Sequence, residues 1–175
     1  LICRENGLTE LDISNNVALS TLNCTENALT CLDVSMLPEL QYLYCDGNKL
    51  KELDVSGNPK LTWVMCADNQ LVCFNAENCE NLTMALVSGN KRTVCTEGEI
   101  DLSVFFGFDT SKASNWRGAT YDRSGKRLIN ITGEEIQYYY QIAEGNLSSF
   151  TLVPVTHADT DEDSFCDNCG GSMEA

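Results

Sequence analysis

Apolar positions in the first half of the chain return every 21 residues. Leu8, Leu29, Leu50 and Leu71 form one column, Leu11, Leu32 and Leu53 with Phe74 a second, and Leu19, Leu40, Leu61 and Leu82 a third. A cysteine column (Cys3, Cys24, Cys45, Cys66) and an asparagine column (Asn6, Asn27, Asn48, Asn69, Asn90) keep the same step. Asp12, Asp33 and Asp54, followed two residues on by Ser14, Ser35 and Ser56, complete a consensus LxxLxCxxNxLxxLDVSxNPx. The pattern predicts one short strand per unit, a turn at the asparagine and an irregular return through LDVS.

A 21-residue unit built on LxxLxxxxNxL lies in the length range of leucine-rich repeats. The fold class expected is a leucine-rich-repeat solenoid, with short parallel strands on the concave face and an irregular convex side. Parallel strands would stack equivalent residues about 4.8 Å apart. Each asparagine amide is then placed to bond backbone groups left unpaired where the chain turns out of its strand. One unit buries about five large apolar side chains, worth roughly 1.5–3 kcal/mol each. Ordering its backbone costs about 1–2 kcal/mol per residue, so units are stable only when stacked.

These motifs resemble the bacterial cell-surface leucine-rich-repeat proteins related to the listerial internalins. Within that group the internalin J type is the one whose 21-residue repeats carry a cysteine ladder, and the likeness covers residues 1–94. The resemblance implies export and extracellular display on the surface of a Gram-positive bacterium. In "ALVSGNKR", Val87 replaces the cysteine and Arg92 the leucine, which marks the end of the array. The chain starts mid-repeat, so residues 1–95 are expected to be a repeat array truncated at its N-terminus.

Beyond Cys95 the period is lost. Residues 96–156 predict a small β-rich C-terminal cap with two hairpins, "ATYDRSGKRLINI" turning at Ser124-Gly125 and "EIQYYYQIAEGNLSSFTLVPV" turning at Glu144-Gly145-Asn146. Residues 157–175 form an acidic tail carrying the one histidine of the sequence and a CxxC. Asp159, Asp161 and Asp163 have the spacing of a calcium loop, although Ser164 replaces its turn glycine and Gly170 its bidentate glutamate. His157, Cys166 and Cys169 with one aspartate would instead suit tetrahedral zinc. Calcium, zinc and a solvated tail holding no metal stay open, and no cofactor is otherwise required.

A formal net charge of −15 and a pI near 4.2 argue against nucleic acid or anionic lipid as partners. No apolar run approaches the roughly 18 residues of a membrane span. Catalysis is not expected, because a nucleophilic dyad or triad needs a histidine beside the nucleophile and His157 lies in the tail. Glu134 and Glu135 are adjacent, and on a strand they would face opposite ways.

The same alternation exposes one face of the repeat strands. Its columns are Thr21, Tyr42, Trp63 and Met84, then Asn23, Tyr44, Met65 and Leu86, then Thr25, Asp46, Ala67 and Ser88. Tyr42, Tyr44, Trp63, Met65, Met84 and Leu86 therefore predict a contiguous apolar and aromatic patch, with Asp46 at its margin, that the core does not require. Such patches mark interaction sites. The function expected is recognition or adhesion by a monomer that binds a protein ligand through this face. A glycan platform, or a structural spacer with a metal-binding tail, is the alternative.

The ladder cysteines are expected as free thiols. In-register side chains keep their Cβ atoms about 4.8 Å apart, against roughly 3.8 Å in a relaxed disulfide, and a thiol fills a narrow coil as a small hydrophobe.

Overall fold

A computed structural model describes residues 1–156 except 77, 144 and 145. The turn expected at Glu144-Gly145 and the whole tail, with His157, Asp159, Asp161, Asp163, Cys166 and Cys169, lie outside the described residues.

Four three-residue strands, β1 (Thr21–Asn23), β2 (Tyr42–Tyr44), β3 (Trp63–Met65) and β4 (Met84–Leu86), form one parallel sheet in chain order. Leu22 pairs with Leu43, Leu43 with Val64 and Val64 with Ala85, so the register advances by one 21-residue unit per strand. Ile2 adds a parallel bridge to Asn23 ahead of β1. Strands this short end because the chain must turn out of the sheet, and the exposed backbone is caught at once by the neighbouring unit. Cys24, Cys45 and Cys66 donate their N–H groups to the carbonyls of Tyr44, Met65 and Leu86 at 2.9, 2.8 and 2.8 Å. Behind the sheet, Leu22, Leu43, Val64, Leu29, Leu50, Leu71, Leu40 and Leu61 are fully buried.

The remaining strands are β5 (Asn90–Cys95), β6 (Ile100–Asp101), β7 (Ala113–Arg117), β8 (Thr120–Asp122), β9 (Arg127–Ile129), β10 (Ile136–Ala143) and β11 (Asn146–Val155). They make a sheet of order β5-β11-β10-β7 and a smaller one of order β6-β9-β8. Both expected hairpins are present as the antiparallel pairs β8–β9 and β10–β11. β10 alternates cleanly: Ile136, Tyr138, Tyr140 and Ile142 are buried, and the residues between them face outward. Its buried face joins the repeats through Tyr138, whose hydroxyl donates to the Val72 carbonyl, and through Ala76 N–H to the Ile142 carbonyl at 3.0 Å.

Where the leucine column reaches Arg92, the chain runs straight as β5 and pairs in parallel with β11, from Asn90↔Phe150 to Cys95↔Val155. Arg92 is half-buried, with its guanidinium 5.1 Å from the centroid of the Phe105 ring. The cation thus stacks on an aromatic face where earlier units bury a leucine.

Candidate functional site

Each candidate face residue sits on β2, β3 or β4 and is aligned by the register. Tyr42, Trp63 and Met84 are successive partners, as are Tyr44, Met65 and Leu86. Leu43 and Val64 point the other way and are fully buried. Tyr42, Trp63 and Met84 each keep 38% of their surface exposed and Leu86 41%, while Tyr44 and Met65 are half-buried. Six large side chains therefore share one outer face of three adjacent strands. Burial of the ladder does not account for their size.

Asp46 is set apart from this row. Its Oδ1 accepts the Ala67 N–H at 3.1 Å, and desolvation raises its pKa, with Asp68 and Glu26 adding to the rise. It acts first as a link between two units.

The cysteine and asparagine columns form the wall behind the face. Cys24, Cys45 and Cys66 are buried, and they carry thiols rather than disulfides, as do Cys3, Cys31, Cys73 and Cys79. Desolvation pushes the Cys24 pKa up to about 12 and raises those of Cys45 and Cys66 strongly. Burial in this apolar wall disfavours the thiolate, the form that attacks and ligates.

Asn48 Oδ1 accepts the Leu29 N–H at 3.0 Å while Nδ2 donates to the carbonyls of Cys24, Cys45 and Asp46 at 3.1, 3.0 and 3.2 Å. Asn27 and Asn69 repeat this set one unit away on either side. In the last unit Asn90 accepts from Leu71 N–H and donates to Cys66 and Val87. At the other end, Asn6 is exposed and its Nδ2 bonds the Arg4 carbonyl of its own unit. From Asn27 to Asn90, one amide per repeat thus answers backbone groups in two units, which helps hold the face strands in register.

Two further columns escape a reading by residue type. Glu5, Glu26, Gly47, Asp68 and Gly89, one residue before each asparagine, all hold positive φ between 51° and 74°. Asn58 and Cys79, on the return side, both donate to carbonyls of the preceding unit. The mixture of acids and glycines in the first, and of asparagine and cysteine in the second, hid a shared backbone demand.

Among the described residues no group of three or more His, Cys, Asp or Glu side chains is placed to hold a metal ion. No helix of the described chain is long and apolar enough to cross a membrane.

Short parallel strands in 21-residue register, backed by cysteine and asparagine ladders, define a leucine-rich-repeat type of fold. The solved functional domain of InlJ from Listeria monocytogenes, described as including a cysteine ladder, is similar to this chain with a TM-score of 0.59 and 24% identity. That likeness covers 85% of this chain and 36% of the other, so this chain spans about a third of the length of its solved neighbour. No family model and no curated protein matches the sequence.

Proposed function

We propose that this chain is a recognition module of a surface-displayed bacterial protein, a leucine-rich-repeat solenoid closed by its β-rich C-terminal region. Its outer sheet face binds a protein ligand. The observation that carries this reading is the aligned row of Tyr42, Trp63 and Met84, each 38% exposed, flanked by Tyr44, Met65 and Leu86. Large apolar side chains kept at a surface by a fold that does not need them supply binding energy when a partner covers them. Met65, Met84 and Leu86 favour a protein over a glycan, because thioether and aliphatic groups adapt to protein side chains and offer no ring plane to a sugar. Recognition rather than catalysis fits a face whose marginal acid, Asp46, is already bonded to a backbone N–H.

The test is a screen of the chain on arrays of extracellular proteins and of glycans, with a Tyr44→Ala/Trp63→Ala double variant beside it. A protein hit lost in the double variant, with Tm nearly unchanged, supports the reading. A glycan hit that the double variant loses, or a protein hit indifferent to the double variant, refutes it. A large fall in Tm would show that these rings are core.

A further inference from the structure

The charge of this chain is unevenly spread. Acids outnumber bases 26 to 11 overall, yet Lys112, Arg117, Arg123, Lys126 and Arg127 fall within a single stretch of sequence whose one acid is Asp122. That stretch encloses a cleft of about 600 Å³ between the loop before β7, the strand itself and the β8–β9 turn. Tyr121, Arg123, Lys126, Ser111, Ser114 and Asn115 line it, with Trp116 behind, and no acidic side chain does among the described residues.

The hydrogen bonds from Ser111 hold the Asp109 carboxyl below its ordinary pKa, and Lys126 lies near enough to help. Arg123 and Lys126 are exposed, and neither forms an ion pair among the described residues. The acids nearby are occupied: Asp122 Oδ1 accepts from Ser124 N and Oγ at 2.9 and 2.7 Å, and Asp109 Oδ1 accepts from Ser111 N and Oγ at 2.8 and 2.7 Å. Arg127, by contrast, is turned to Glu99 at 2.6 Å. Three rings step outward from the core to the cleft. Trp116 stacks on buried Tyr138 at 4.5 Å between centroids, and half-buried Tyr121 stacks on Trp116 at 5.8 Å. Two non-glycine residues of the lining, Asn115 and Lys126, hold φ of 54° and 52°. Backbone strain of this kind gathers at ligand sites. The Trp116 indole N–H also has no acceptor among the described residues.

We infer that this cleft binds a short acidic saccharide, a uronic-acid oligosaccharide of two or three rings. Tyr121 offers an aromatic plane for the C–H face of one sugar ring. Arg123 and Lys126 pair with its carboxylate through charge-assisted hydrogen bonds. Ser114 and Asn115 supply hydroxyl and amide groups at hydrogen-bonding reach of ring hydroxyls, and the cleft volume lies within the usual range of small-ligand sites. A nucleobase is less well served, because Trp116 already stacks against two tyrosines and Tyr121 alone is left for the ligand. The chain's charge of −15 also selects a ligand with few charges over a long polyanion.

Titration calorimetry of the full chain with trigalacturonate, maltotriose, pentaglutamate and inorganic phosphate tests the inference. Saturable binding of trigalacturonate is expected, weaker for maltotriose and pentaglutamate by about tenfold or more, the scale of one charged hydrogen bond. Arg123→Gln and Lys126→Gly should each weaken it about tenfold, with Tm unchanged in the first and not lowered in the second, since both side chains are exposed and glycine relieves the positive φ of Lys126. The Tyr44→Ala/Trp63→Ala variant should bind trigalacturonate as the parent does, which separates this site from the sheet face. No saturation, equal binding of pentaglutamate or phosphate, or indifference to both charge variants would overturn it.

Discussion

Cys79 stands in its repeat where Asn58 stands one repeat earlier, and the two make the same pair of contacts. Asn58 Nδ2 donates to the carbonyls of Val34 and Leu37 at 2.8 and 2.9 Å. The Cys79 thiol donates to those of Val55 and Asn58, the equivalent atoms 21 residues on, at 3.7 and 4.0 Å. A weak thiol donor replaces an amide without changing the backbone. The exchange also avoids the unpaired buried Oδ1 that Asn58 carries.

Asn58→Ala should therefore destabilise the fold by about 1–3 kcal/mol, the cost of stranding buried polar groups. Asn58→Cys should cost clearly less. Urea unfolding of the two variants compares them, and equal losses would show that the donor is irrelevant.

The column of positive φ makes an opposite pair of predictions. Glu26 at φ 53° bears the left-handed penalty that Gly47 at φ 63° escapes. Glu26→Gly is expected to stabilise by about 0.5–1 kcal/mol after the added freedom of the unfolded chain is subtracted. Gly47→Ala should destabilise by about 1 kcal/mol. Its new Cβ would meet Glu26 Oε1 at 2.6 Å, but that atom ends a flexible side chain, so backbone strain dominates. Thermal unfolding of both single variants reads the two signs.

Thiol reactivity should follow burial. In native protein at pH 8, exposed Cys31 should react with a thiol reagent within minutes, while Cys24, Cys45 and Cys66 should react only after unfolding. Mass mapping of the modified peptides checks it. Modification in denaturant alone, without reductant, distinguishes thiols from disulfides.

Asp46 makes stability depend on pH. Its folded pKa is raised above the ordinary 3.8 by desolvation, so folding disfavours the charged form and stability falls as pH rises from 3.8 through the folded value. Asp46→Asn keeps an oxygen for the Ala67 N–H and removes the charge. The variant should be more stable than the parent at pH 7, with the difference fading below about pH 4, where the parent's carboxyl is protonated in both states. Denaturant midpoints across that range follow the change.

The repeat strands were legible because a fixed period makes side-chain columns visible before any fold is known, and the register Leu22, Leu43, Val64, Ala85 is that period in space. Both hairpins were legible from local turn residues and alternation. β5 was not. Its partner β11 lies far along the chain, and a parallel pairing across that distance leaves no local signature. Arg92 marked the break in the column, but its ring partner, Phe105, belongs to a loop the period does not reach. The face residues could be named from alternation alone, whereas the half-burial of Asp46 depends on the neighbouring unit's backbone. The basic cleft was hidden by an average, since a net charge of −15 says nothing of a local reversal between Lys112 and Arg127.

The pairing of β5 with β11 has a mechanical consequence. The strands run parallel, β5 is entered at Asn90 from the repeats, and β11 is left at Val155. Tension between the repeats and residue 156 would pull the two strands from opposite ends, loading six residue pairs in shear rather than peeling them one at a time. Joined in this way, the repeats and the C-terminal sheet would part under such a pull only when the whole ladder gave way together.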